Sequence, residues 1–334
     1  LTRRSIIAVR PLLHCLALVL TLGRVADSEA RSWPLPPPGD DIIGEIAWTN
    51  ARSEDTLADL ARTFRQGYEA LRAANPTVDA WLPKEGTPVL LPNRHILPPG
   101  PREGIVINVA EMRLYYFPPV GKSQSGVVQT YPVAIGRGDW RTPLVQTRVT
   151  GKVTDPVWYP PESIRMEHAA DGRPLPRVVP AGPDNPLGKY ALRLSIPSYL
   201  IHGTNKQYGI GMQVTHGCIR MYPEDIEALY KQVPVNTPVR IISQRFKAGW
   251  HQGVLHIEVH APLEQYSAEQ RADRQPLLDA IAAATRERPD YPVDWLAVDV
   301  AVAEASGLPV AVGPVWQPAV IAEEAVVTGG AALP

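Results

Sequence analysis

The sequence predicts a mainly β domain in the middle of the chain, preceded by a small βααβ module and followed by an α+β extension. Three observations carry this. Apolar residues recur at helical spacing between residues 44 and 92, switch to strand-like alternation between 104 and 243, and return to helical spacing beyond 260. Gly, Pro and Asp clusters also punctuate the middle stretch at short intervals, as turns between strands do. A length of 334 residues with 45% hydrophobic content allows two or three separate cores. Lys plus Arg total 33 against 34 Asp plus Glu, a net charge of -1. That balance lacks the basic surplus of a nucleic-acid-binding protein, so nucleic acid is not an expected partner.

Residues 1–30 begin with Arg3, Arg4 and Arg10 ahead of the apolar run "PLLHCLALVLTLG" and then small and polar residues as far as "DSEA". This is the pattern of a secretory signal peptide cut near Ala30, and it predicts an exported protein. The run is too short to span a bilayer comfortably. The paired arginines of "TRRSII" leave Sec and twin-arginine export both open. Residues 31–43, with "WPLPPPGDD", read as a stiff proline-rich linker.

Residues 44–92 read strand, helix, helix, strand. "EDTLADLARTF" places Leu57, Leu60, Ala61 and Phe64 on one helical face, "YEALRAANP" is a second helix stopped at Asn75-Pro76, and "TPVLLP" is extended. Through "DTLADLA", "LRAANP" and "LPKEGTPVLLP" this unit resembles a LysM module, with Glu54 where the family commonly has glycine. The resemblance implies binding to N-acetylglucosamine-containing glycans such as peptidoglycan. The plainer alternative is a helical hairpin of no particular affinity.

Residues 93–103 read as a second linker. From 104 to 243, "GIVINV", "MRLYYF", "VVQTYPVAIG", "QTRVTGKV" and "KYALRLSI" read as strands. In the last, Tyr190, Leu192, Leu194 and Ile196 alternate with Ala191, Arg193 and Ser195. "PEDIEALYKQV" reads as a helix with Pro223 in its first turn and an apolar stripe of Ile226, Leu229, Tyr230 and Val233, followed by the strand "TPVRII". Residues 244–313 contain the strand "GVLHIEVHA", one helix over "AEQRADRQPLLDAIAAAT" and an apolar stretch around "VDWLAVDVAVAEA". Residues 314–334, rich in Ala, Val and Pro, are predicted to be a disordered tail.

The chemistry concentrates in "IHGTNKQYGIGMQVTHGCIRMYP", Ile201 to Pro223. Cys15 falls in the expected signal peptide, which leaves Cys218 as the one cysteine of the mature chain. An unpaired thiol in an oxidising compartment is either buried and inert or has a task. A thiol becomes a useful nucleophile when a base or cation takes its proton, most often a histidine within hydrogen-bond reach. His202, at the end of the strand-like "SYLIHG", is one candidate. His216 is another, because on an extended segment residues 216 and 218 point to the same side. Gly217 permits backbone angles that turn main-chain N–H groups toward one point, as an oxyanion hole needs. Tyr222, the expected helix cap, is too far along the chain for the helix dipole to activate the thiol.

The stretch resembles the signature of the L,D-transpeptidases, a His-Gly followed after about fifteen residues by Ser/Thr-His-Gly-Cys-x-Arg/Asn. Thr215, His216, Gly217, Cys218 and Arg220 match it. "YPVAIGRGDWRTP" and "PAGPDNPLGKYALRL" resemble the Gram-negative branch that carries a LysM module ahead of a β-sandwich-like catalytic domain. The resemblance implies Cys218 as nucleophile and His202 as general base and acid. His216 and Gly217, with the Cys218 backbone, would line the oxyanion hole. Arg220 would bind the stem peptide or brace the loop, with a salt bridge inside the loop as the alternative. Tyr190 would shape the pocket, with core packing as its alternative.

The implied reaction attacks the third residue of a peptidoglycan tetrapeptide stem, releases D-Ala, and passes the thioester to an amine of diaminopimelate or of a Braun-type lipoprotein. It implies a periplasmic place in cell-wall organisation and cell shape, with no cofactor or metal. The alternatives are a peptidoglycan–lipoprotein hydrolase or L,D-carboxypeptidase on the same fold, and a non-catalytic peptidoglycan-binding protein. Zinc ligation by His202, His216 and Cys218 fits no common spacing. His256, Glu258 and His260 of "HIEVH" fall on one face of a strand, which leaves surface metal binding as a minor reading.

Overall fold

A computed structural model describes residues 31–119 and 126–314. The expected signal peptide and all but the first residue of the expected tail lie outside the described residues. Both expected linkers are built into the body of the protein. β1 (Arg31–Pro34) is an edge strand of the main sheet, and β2 (Ile42–Ile43) is buried. β2 pairs with β5 (His95–Ile96), so the second linker also contributes a strand. The physical reason is apolar content that the prolines obscure, since Ile42, Ile43, Ile96 and Leu97 are all buried.

Between them stands a βααβ unit of β3 (Ala47–Asn50), α1 (Leu57–Thr63), α2 (Tyr68–Ala74) and β4 (Pro88–Leu91), with β3 and β4 antiparallel. Thr56 starts α1 through a capping box with Asp59. Leu57, Leu60, Ala61 and Leu71 meet Val89 and Leu91 in one small core.

The central domain runs β6 (Gly104–Asn108), β7 (Arg113–Phe117), β8 (Val127–Pro132), β9 (Ile135–Gly136), β10 (Val145–Thr154), α3 (Glu162–Ala170), β11 (Tyr190–Leu194), β12 (Leu200–His202), β13 (Gln213–Thr215), β14 (Ile219–Arg220), α4 (Pro223–Gln232) and β15 (Pro238–Ile242). One mixed nine-stranded sheet has the order β1-β8-β7-β6-β15-β10-β11-β12-β14. β15 lies parallel to β6 and β12 lies parallel to β14; the other neighbours are antiparallel. β10 makes the sheet curl. Its first half pairs with β15 and its second with β11, with an irregularity in register between Val149 and Gly151. Strands from both ends of the order therefore enclose one core, in which Ile107, Leu114, Val149, Leu192, Ile201, Ile219, Ile226 and Leu229 meet.

The C-terminal part contains the antiparallel strands β16 (Phe246–His251), β17 (Val254–Val259) and β18 (Val310–Ala311), with α5 (Ala268–Ala272), α6 (Gln275–Ala284) and α7 (Trp295–Glu304). The single helix expected across "AEQRADRQPLLDAIAAAT" is two. The chain turns extended at Asp273, whose carboxylate accepts the Gln275 N–H at 2.9 Å, and Pro276 sits in the first turn of α6, where its missing N–H is harmless. Among the described residues no helix is long and apolar enough to cross a membrane.

A buried ionic node fastens this part to the rest. Lys247 Nζ lies 2.7 Å from Glu111 and 2.8 Å from Glu258, and donates to the Ile96 carbonyl at 2.6 Å. Glu258 also meets His260 at 2.7 Å. Burial pushes the Glu258 carboxyl up, but Lys247 and His260 outweigh it and hold the group below the usual range. The surface-metal reading of "HIEVH" is thereby corrected, because Glu258 is wholly buried and His256 Nδ1 is turned to the Val254 carbonyl. Potential ligand atoms of His95, Glu111 and Glu258 do lie within 4.8 Å of one another. Lys247 already supplies the positive charge there.

Candidate active site

β12 and β14 position the two residues that matter most. Their parallel register sets Ile201 beside Ile219 and His202 beside Arg220. Ile201 and Ile219 point into the core. By strand alternation His202 and Arg220, with Cys218 one step before β14, share the opposite face. Parity also places Tyr190. Ala191 pairs with His202 in the neighbouring strand, so Tyr190 belongs to the other face, where its ring packs on Tyr230 with centroids 4.8 Å apart. Its core-packing alternative is the one the structure favours.

His202 is buried, and its Nδ1 lies 2.6 Å from the Gly203 carbonyl. A carbonyl only accepts, so Nδ1 carries the proton and Nε2 keeps its lone pair; the Leu187 backbone also meets the ring. Burial, reinforced by the positive charge of Arg220, pushes the imidazole down to about 3. It is a neutral ring at physiological pH.

Cys218 is partly exposed and its thiol donates to the Ser198 carbonyl at 3.6 Å. Ser198 itself holds a left-handed backbone, with φ of 70°. Burial pushes the thiol up, while the Leu200 amide and the Arg220 charge pull in the other direction without overcoming it. Thiol and imidazole thus rest as a neutral pair on one sheet face, and among the described residues no hydrogen bond joins them.

Arg220 has no carboxylate partner among the described residues, and its Nε is buried without a hydrogen bond. The salt bridge considered for it is not formed. Burial lowers its guanidinium, and a thiolate formed at Cys218 would act against that.

His216 does not reach toward Cys218. Gly217 between them has a φ of 101°, which breaks the extended geometry that would align the two side chains. His216 instead meets Glu167 of α3 at 2.7 Å, with Trp140 edge-on at 5.0 Å between ring centroids and Arg137 joined to the same carboxylate. The Gly217 N–H is also committed, to Thr215 Oγ1 at 3.2 Å. Thr142, from the "RTP" of the first resembling block, donates to the Gly217 carbonyl at 2.9 Å. Sequence reasoning singled out neither Glu167 nor Ser198. Only Thr142 had a signal, as part of a quoted block.

The βααβ unit docks directly on this loop. α2 starts at Gly67 with no side-chain cap, and its first two N–H groups, from Tyr68 and Glu69, donate to the carbonyls of Ile210 and Gly211 at 3.0 and 3.3 Å. Such closeness needs glycine at position 211, since a Cβ there would fall 2.3 Å from the Gly67 Cα. Arg62–Glu224 at 2.6 Å, Arg65–Asp225 at 3.0 Å and the Tyr222 hydroxyl on the Gln66 carbonyl at 2.9 Å complete the junction.

A curled mixed sheet with a Cys-bearing loop beside a strand-borne histidine defines the catalytic domain of an L,D-transpeptidase. The family model for that domain, YkuD, matches residues 102–241. "Probable L,D-transpeptidase YcfS" of Escherichia coli (strain K12) is 43% identical over 71% of this chain and 75% of its own length. "Probable L,D-transpeptidase ErfK/SrfK" and "Probable L,D-transpeptidase YbiS" of the same strain are 40% and 39% identical, over 85% and 88% of this chain and 91% and 96% of theirs. The chain belongs to the L,D-transpeptidase family. An L,D-transpeptidase structure from Mycobacterium smegmatis overlays with a TM-score of 0.33 at 18% identity, over 47% of this chain and 64% of that one, too loosely to carry an argument.

Proposed function

We propose that Cys218 is the nucleophile of a two-step acyl transfer on peptidoglycan stem peptides, with His202 as its base and acid. The observation that supports this reading is the shared sheet face of His202, Cys218 and Arg220. His202 Nε2 takes the thiol proton as Sγ bonds to the carbonyl carbon of the third stem residue. The developing thiolate is favoured by Arg220 and the Leu200 amide, both of which lower the thiol. The Cys218 amide, with Gly217 fixing the turn before it, serves the oxyanion. His202 then gives its proton to the nitrogen of the departing D-Ala, leaving a thioester. An acceptor amine attacks the thioester, loses a proton to His202, and Cys218 leaves and is reprotonated.

The acceptor is the side-chain amine of another stem's diaminopimelate, giving a 3-3 crosslink, or a lysine of a Braun-type lipoprotein. The βααβ unit acts as a LysM module that holds glycan strands, and the chain works in the periplasm after export. Tetrapeptide-bearing muropeptides incubated with the protein test this. Dimers linked 3-3 that disappear with Cys218→Ala support the proposal, trimmed monomers alone point to the hydrolase, and an undiminished Cys218→Ala protein refutes the mechanism.

A further inference from the structure

Between α1 and the loop that precedes the catalytic cysteine runs a groove of about 500 Å³. Arg62 lines one side and the segment Asn205 to Gly209 lines the other. We infer that this groove holds the amino-sugar ring from which the stem peptide hangs, so that sugar and scissile carbonyl are bound by one continuous surface. The inference rests on the reading that Cys218 acts on peptidoglycan stems.

The lining has the chemistry of a sugar site. The Tyr208 ring is 60% exposed while its hydroxyl is anchored on Asp59 of α1 at 3.2 Å, so an aromatic face is held open to a ligand. Gln207 Oε1 is buried with no hydrogen-bond partner, so turning its amide into the groove to accept an N–H or O–H, such as an acetamido sugar carries, breaks no hydrogen bond at that oxygen. Arg62 shares its charge with Glu224. Lys206 is exposed on the rim, where a carboxylate of the stem peptide itself can meet it. The walls are fixed with respect to each other, because the carbonyls of Ile210 and Gly211 just beyond the loop cap α2.

Position supports the same ligand. A Cβ on Gly209, at the end of the groove, would lie 4.0 Å from Arg220 Nη1, and Arg220 follows Cys218 by two residues. The groove therefore opens next to the guanidinium that flanks the thiol. Three extended residues reach roughly 10 Å, so a stem leaving a sugar in the groove runs past Arg220 in the direction of Cys218.

The test compares a disaccharide-tetrapeptide with the sugar-free tetrapeptide as acyl donors for the full chain. Tyr208→Ala and Gln207→Ala are expected to lower the preference for the sugar-bearing donor, read as a ratio of kcat/KM, about fivefold to tenfold, through KM. An unchanged ratio, or equal loss on both donors, overturns the inference. If the native chain turns over neither donor, the proposed function fails, and the groove is judged by titrating the disaccharide alone. Binding lost in Tyr208→Ala then upholds the groove, and binding of equal strength removes it.

Discussion

Replacing Gly217 by alanine isolates what the backbone contributes to the candidate site. At φ of 101° an L-residue sits outside its comfortable range. The new Cβ would stand 2.9 Å from Tyr199 Cε1 and 3.4 Å from the Arg141 carbonyl oxygen. Backbone strain costs about 1–3 kcal/mol, and shifting the Tyr199 ring adds roughly 1 kcal/mol of off-rotamer strain. That is too little to unfold a domain of this size but lowers its melting temperature by about 5–10 °C. The chemistry suffers more. A displacement on the order of 1 Å at a reacting atom costs about 100-fold in rate, and the Thr142 bond to the Gly217 carbonyl transmits the strain to both sides of the loop. With Cys218 as the proposed nucleophile, intact mass followed over time with a carbapenem, a strained β-lactam acyl donor, reads the rate of its acylation. Tyr199→Ala in the same chain relieves the steric part and returns some of the lost stability, but not the acylation rate. Native acylation with an unchanged melting temperature in Gly217→Ala would refute the argument.

Three further outcomes follow from the same geometry. Above the ordinary histidine range His202 is neutral in both folded and unfolded chains; below it only the unfolded chain takes the proton. Stability is therefore lost as pH falls from 6.5 toward the folded value of about 3, by up to about 4–5 kcal/mol, and urea unfolding at pH 7 and pH 4 should show a shallower loss in His202→Gln. Arg220→Gln removes a charge that lowers the Cys218 thiol, so the pH profile of thiol alkylation moves to higher pH; an unmoved profile contradicts that role. Lys247→Met leaves Glu111 and Glu258 buried without their cation, at a cost of roughly 3–5 kcal/mol, seen as a lower melting temperature that Glu111→Gln and Glu258→Gln partly restore.

Much of the site was legible because its residues lie close together in sequence. His202 at a strand end and Cys218 after a glycine are local features, and the structure places them on neighbouring strands. What was not legible depends on long-range contacts or on a single dihedral. Glu167 comes from a short helix about fifty residues before the loop, with Ile164 as its one buried residue, so no apolar periodicity announces it. The pairing of His216 with Glu167 hinges on φ at Gly217, which residue type permits but does not dictate. The short strands within 31–43 and 93–103 are hidden in the sequence for a related reason. Proline content hid the few isoleucines of 31–43 and 93–103, and short strands carry little periodicity of their own.

The capping of α2 by Ile210 and Gly211 gives the βααβ unit and the loop before Cys218 a shared fate. Two carbonyls some 140 positions downstream do the work usually done by a Ser or Asp at the helix start. A chain shortened to begin at residue 93 would strip those carbonyls of their donors and take Arg65 away from Asp225. Thermodynamic linkage runs in both directions across such a joint. Whatever grips the N-terminal unit steadies the loop, and whatever orders the loop tightens the grip.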